Sequence, residues 1–126
     1  MKLRLRGNSI RLRLNRPEVA QFASRGTIEE ALCYGAGAGE QLTYGLERSA
    51  SAQDIQLSVA PGRIMILVPE SLARDWVDTE RVSMESTSRT TAPNELTILV
   101  KKDFRRLHGA SKDPDLYPNP LEKSGV

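Results

Sequence analysis

Met1-Lys2-Leu3-Arg4-Leu5-Arg6-Gly7-Asn8-Ser9-Ile10-Arg11-Leu12-Arg13-Leu14 alternates apolar and basic residues on both sides of a short polar break. A period of two on each side, with Gly7-Asn8-Ser9 between, reads as an amphipathic β-hairpin closed by a tight turn. Side chains alternate across a strand. Leu3, Leu5, Ile10, Leu12 and Leu14 therefore share one face, and Lys2, Arg4, Arg6, Arg11 and Arg13 share the other. Asn15-Arg16-Pro17-Glu18 then has the form of a capping box, with proline in the first turn. A short helix is expected, with Val19 and Phe22 on its buried face and Gly26 as its stop.

Alternation returns after Gly26. Ile28, Leu32 and Tyr34 mark one strand, and Leu42, Tyr44 and Leu46 mark another beyond the Gly35-Ala36-Gly37-Ala38-Gly39 loop. Ile55, Leu57 and Val59 follow, then a Pro61-Gly62 turn. The run Ile64-Met65-Ile66-Leu67-Val68 is apolar on both faces and predicts a central strand covered on both sides. Pro69-Glu70-Ser71 opens a second helix with Leu72, Trp76 and Val77 as its stripe. Val82 and Met84 predict a weak strand, Thr87 to Asn94 a polar loop, and Leu96, Ile98 and Val100 a strong final strand. The fold class is therefore α+β: mainly antiparallel β, about eight short strands in a sheet or partly open barrel, with two short packed helices. A strand-pair, helix, strands order occurs twice, but the two helices share no residue pattern, so no sequence repeat is assigned.

The chain has 126 residues, enough for one core. Residues 1–109 are expected to form a single globular domain. Residues 110–126, with Pro114, Pro118 and Pro120, are expected to form a proline-rich tail. No apolar run approaches the roughly 20 residues that span a bilayer, and no signal peptide is legible at the start. The lone cysteine, Cys33, fits a reducing compartment, so a cytoplasmic setting without membrane contact is expected.

Net charge is only +2, yet it is segregated. Residues 1–25 hold seven bases against Glu18 alone, whereas residues 26–47 hold Glu29, Glu30, Glu40 and Glu47 and no base. The basic hairpin face is either a surface for phosphates or nucleic acid, or a solvated face paired with the acidic strands of the same fold or of a second copy. The second reading is favoured because no aromatic residue interleaves the five bases to stack on nucleotides.

Catalytic arrangements find little support. The Gly35–Gly39 loop leads into strand rather than a helix N-terminus, and no Lys-Ser/Thr follows, so a hairpin loop is preferred to a phosphate loop. Cys33 and His108 are the only candidates for a thiol–imidazole pair. Acidic Glu29 and Glu30 nearby act against a thiolate, and a free cysteine more often packs as a small apolar residue. No Gly-x-Ser-x-Gly elbow presents a serine. One cysteine and one histidine do not make a zinc site, and His108 with Asp113 and Asp115 is a weak carboxylate cluster in an irregular segment. Trp76 is read as a core anchor. No catalytic residue, metal site or cofactor is assigned.

The opening Met1–Leu14 stretch, Val68-Pro69-Glu70 with Trp76, Lys102-Asp103-Phe104 and the closing Tyr117-Pro118-Asn119-Pro120 together resemble a family of small bacterial proteins of unknown function. The resemblance covers nearly the whole chain. It implies a single-domain bacterial protein and carries no activity or site residue with it. Many members have a cysteine two residues after the Asp-Phe pair; this chain has Arg106 there. The function expected is a binding or interaction module whose contact face is Lys2, Arg4, Arg6, Arg11 and Arg13, with a protein partner or a homodimer ahead of a polyanion. The alternative is a small-ligand protein or enzyme with a pocket beside the Gly35–Gly39 loop and the C-terminal tail.

Overall fold

The opening hairpin forms as its alternation predicts. In the computed structural model, which describes residues 1–91 and 94–104, β1 (Lys2–Arg6) pairs antiparallel with β2 (Ser9–Leu14), placing Leu3 opposite Leu12 and Leu5 opposite Ile10. Helix α1 (Arg16–Arg25) follows. The Asn15 side chain accepts from the Glu18 N–H at 3.0 Å while the Glu18 carboxylate accepts from the Asn15 N–H at 2.9 Å. Gly26 ends the helix at φ 76°, a left-handed conformation that a β-carbon disfavours. Next come β3 (Thr27–Cys33), β4 (Gln41–Ser49), β5 (Gln56–Ala60), β6 (Arg63–Pro69), α2 (Glu70–Asp78), β7 (Ser83–Thr91) and β8 (Asn94–Lys102).

The strands make two four-stranded sheets, β1-β2-β8-β7 and β3-β4-β6-β5, here called sheets A and B. Each is built from two antiparallel hairpins joined through their second strands, and those central pairs, β2–β8 and β4–β6, are parallel. The architecture is thus α+β and mainly antiparallel, with one parallel seam in each sheet. The chain also runs twice through the same path, two strands, a helix and two strands, and each pass gives one hairpin to each sheet. Equivalent backbone bonds recur. Thr97 N–H donates to the Asn8 carbonyl at 3.2 Å as Thr43 N–H donates to Gly62 at 2.8 Å; Lys102 N–H reaches Val82 at 3.0 Å as Arg48 N–H reaches Gly26 at 2.8 Å. The echo noted in the sequence is a duplication of topology. It is invisible in the helices because equivalent positions keep burial, not residue type.

One core lies between the sheets and under both helices. Leu12, Leu14, Phe22, Leu46, Ile66, Val68, Trp76, Met84, Ile98 and Val100 are fully buried in it. Trp76 is the anchor expected, its indole N–H donating to the Val82 carbonyl at 3.0 Å. Burying the apolar faces of both sheets against the helices supplies the main stabilisation, at about 25 cal/mol per Å² of apolar surface.

Three readings change. Thr87 to Asn94 is not a loop: β7 continues to Thr91, with an irregularity after Ser88, and Thr91 sits opposite Asn94. A Ser/Thr-rich segment suits an edge strand whose outward face meets water, and Ser86, a polar residue buried in it, donates to Asp54 at 3.2 Å. Val82 precedes the strand. Leu5, Leu32, Tyr34 and Val59 are not core but 58–69% exposed. They lie on edge strands or just beyond, towards the hairpin turns, whereas the helices follow the opposite ends of β2 and β6. The tail 110–126, with His108, Asp113 and Asp115, lies outside the described residues. Among the described residues, no helix is long and apolar enough to cross a membrane.

Candidate functional site: a basic sheet face

Register sets the charged face. Lys2 stands opposite Arg13, and Arg4 opposite Arg11, with Arg6 opposite Ser9. On the other side of β2, Arg13 neighbours Lys101, Arg11 neighbours Leu99 and Ser9 neighbours Thr97. Beyond β8 come Ser83, Glu85 and Thr87 on β7. The outer face of sheet A therefore gathers all five hairpin bases and a sixth cation, Lys101. Sequence reasoning missed Lys101, because a parallel neighbour from the far end of the chain leaves no local signal. Strands in a sheet lie about 4.8 Å apart and same-face residues about 7 Å apart along each strand, so the cations form a grid.

Among the described residues, little neutralises this grid. Lys2 Nζ meets the Asp103 carboxylate at 3.1 Å, and this hydrogen bond, with Arg13 and the amino terminus adding their charge, holds Asp103 below the usual carboxylate range despite some desolvation. Among the described residues, Arg4, Arg6, Arg11 and Arg13 have no carboxylate within ion-pair distance. The acidic strands do not serve as their partners: Glu29 pairs with Arg63 at 3.0 Å on sheet B, and Glu30 takes the Met1 amino group at 3.0 Å and the Tyr44 hydroxyl at 3.1 Å. The same amino group also donates to Glu18, the capping residue of α1. Burial works against the charge on the Met1 amino group, but Glu18 and Glu30 together raise its pKa above the ordinary value. The amino group's hydrogen bond in turn lowers Glu30, against its own partial burial. Burial and then Glu30 raise Tyr44.

The other candidates do not assemble into a site. Cys33 is exposed, not packed, its thiol 3.7 Å from the Gln41 side-chain oxygen, and His108 lies outside the described residues. The Gly35–Gly39 loop closes on itself: Tyr34 N–H donates to the Glu40 carbonyl, and Tyr34 Oη to Gly39 at 3.3 Å. Two clefts occur away from that loop. One of 200 Å³ lies between the helices against Phe22, Arg48, Ala73 and Val77, and one of 480 Å³ lies beside Arg25, Glu29, Glu47 and Arg63. Among the described residues no group of three or more His, Cys, Asp or Glu is arranged to hold a metal ion.

Fold and face together define a small α+β module with one cationic sheet surface. The chain belongs to the family of unknown function DUF7009, whose model matches residues 1–121. No curated protein and no solved structure matches it.

Proposed function

We propose that this protein is a binding module whose contact surface is the outer face of sheet A: Lys2, Arg4, Arg6, Arg11 and Arg13, extended by Lys101. The observation that carries the reading is the register of like charges, Lys2 against Arg13 and Arg4 against Arg11, with no ion pair to any of the four arginines among the described residues. Like charges directly opposite in a sheet are destabilising. An acidic partner removes that cost on binding. A bacterial cytoplasm, where the single thiol of Cys33 stays reduced, is the setting this reading assumes. Among the described residues, neither the Gly35–Gly39 loop nor the two clefts supports the alternative of a small-ligand enzyme.

The test is retention on a heparin column at low ionic strength. Arg4→Glu with Arg11→Glu is expected to abolish retention. Arg25→Glu with Arg74→Glu, which changes net charge equally on the exposed helix surfaces, is expected to leave most of it. Equal loss in both pairs would reduce the face to a contribution to net charge.

A further inference from the structure

The duplicated path supplies an internal control for the basic face. Every position on the outer face of sheet A has a counterpart on sheet B, reached by matching strand to strand and register to register. Lys2, Arg4 and Arg6 on β1 correspond to Gln56, Ser58 and Ala60 on β5. Arg11 and Arg13 on β2 correspond to Met65 and Leu67 on β6, and Lys101 on β8 corresponds to Glu47 on β4. These six positions thus carry cations on sheet A and none on sheet B, where the same face has a cation at another position, Arg63 in the place of Ser9, paired with Glu29 at 3.0 Å. The fold is satisfied by neutral or acidic residues there, so architecture does not require the cations of sheet A.

The chemistry of the face narrows its partner. It presents four arginines and two lysines across three strands, with Leu99 as its one apolar side chain at those registers and no aromatic residue. Protein interfaces concentrate their binding energy in buried aromatic and apolar anchors, which this face lacks. Single-stranded nucleic acid is held by bases stacked on aromatic rings, which it also lacks. A small anion needs donors converging in a cavity, whereas these are spread over an open sheet, and the two clefts found among the described residues lie elsewhere. A double helix offers an extended array of phosphates and needs no stacking partner. Arginine's planar fork donates in pairs to phosphate oxygens, and such contacts carry no base information.

We infer that the outer face of sheet A docks the sugar–phosphate backbone of double-helical nucleic acid, independently of sequence. This deepens the proposed function and rests on it. Each neutralised phosphate contributes about −0.9 to the slope of log affinity against log salt. Full engagement of the six cations therefore gives a slope of about −5, and removing Arg4 and Arg11 flattens it by about 2.

The experiment is fluorescence anisotropy of the full chain with two labelled DNA duplexes of unrelated sequence, over a series of salt concentrations. Unlabelled polyglutamate and anionic phospholipid vesicles serve as competitors. The expected result is matched affinity for the two duplexes, the steep salt slope, and loss of at least tenfold in affinity for Arg4→Glu with Arg11→Glu. The pair Arg25→Glu with Arg74→Glu should stay within about twofold of the parent. No duplex binding at the lowest salt, with heparin retention intact, overturns the duplex assignment alone. Competition by polyglutamate or vesicles at equal charge does the same, pointing to a carboxylate-bearing protein or a lipid surface. Duplex binding and heparin retention both unchanged by Arg4→Glu with Arg11→Glu overturn this inference and the basic-face reading together.

Discussion

The rings of Phe22 and Trp76 meet edge to face, centroids 6.2 Å apart and planes inclined at 66°. They occupy the same place in the two passes of the chain, one on α1 and one on α2, and both are fully buried. The pair joins the two halves where the helices adjoin, and Lys102 Nζ lies 5.6 Å from the Trp76 ring centre while donating to the Thr79 carbonyl at 2.9 Å. Truncating either ring removes both a large buried volume and a contact between the halves. Phe22→Ala and Trp76→Ala are each expected to lose about 3–5 kcal/mol of stability. A double-mutant cycle by urea unfolding should return a coupling of about 0.5–1.5 kcal/mol. A coupling near zero would mean the rings merely fill adjoining space.

The helix stops and starts give a second expectation. Asn15→Ala removes the side-chain acceptor for the Glu18 N–H and should cost about 1 kcal/mol. Gly26→Ala should cost a further 1–2 kcal/mol or so, because φ 76° places a β-carbon in the left-handed region and close to the Arg48 guanidinium. Both are read from denaturant midpoints, and Pro69→Ala at the start of α2, where no side chain caps the helix, is the contrast expected to lack a capping loss.

Gly45 lies tight against β3 in sheet B. A β-carbon there would sit 2.1 Å from the Ile28 carbonyl oxygen and 2.8 Å from Glu29 Cα, both backbone atoms of the paired strand. Gly45→Ala must therefore push β3 and β4 apart and should destabilise by about 1–3 kcal/mol, in the range of other overpacked sites. Thermal unfolding beside the parent decides it; a neutral result would require the hairpin to shift freely.

The Met1 amino group and Glu30 contribute to the pH dependence, with Asp103 adding to the acid side and Tyr44 to the alkaline side. Glu30 is lowered, so its contribution is present above the ordinary glutamate value and is lost as pH falls through the folded value. The amino group is raised, so its contribution is present below its ordinary value near 8 and is lost as pH rises through the folded one. Stability should be flat between these limits and decline on both sides. Glu30→Gln is expected to flatten part of each limb in a urea-midpoint profile across pH; an unchanged profile would remove this contact from the account.

The basic face predicts a trade between stability and binding. Arg4→Gln with Arg11→Gln relieves one cross-strand repulsion and should stabilise the protein by about 0.2–1 kcal/mol at low salt. The gain should shrink as salt screens charges within about 10 Å at 0.1 M. The same variant should lose polyanion binding. Destabilisation at low salt would show that the arginines support the sheet through their aliphatic stems instead.

Local patterns were readable where neighbours in sequence are neighbours in space. The 1–14 hairpin, the capping box at Asn15, the Gly26 stop, the central place of the Ile64–Val68 strand and the Trp76 anchor all fall in this class. Pairings between distant segments were not. Nothing near Lys101 shows that it adjoins Arg13, and nothing near Thr87 shows that its polar run pairs with β8. The exposed Leu5 and Val59 were misread for a related reason. Alternation tells which face a residue shares, but not how far the opposing layer extends along it. Five of the six cations on the face were legible from that alternation, and the sixth needed the parallel seam.

That seam has a consequence for how the molecule comes to exist. β2 is complete within the first 14 residues, yet its second neighbour is β8, among the last strands described. During synthesis the first hairpin waits with an open edge until nearly the whole chain has left the ribosome, and closing so long a loop must precede any reward from the pairing. Folding of sheet A should accordingly be slow and late, after all four strands of sheet B have been made. In that interval, before β8 covers it, the unpaired edge of β2 is the place where nascent chains are most exposed to pairing with one another.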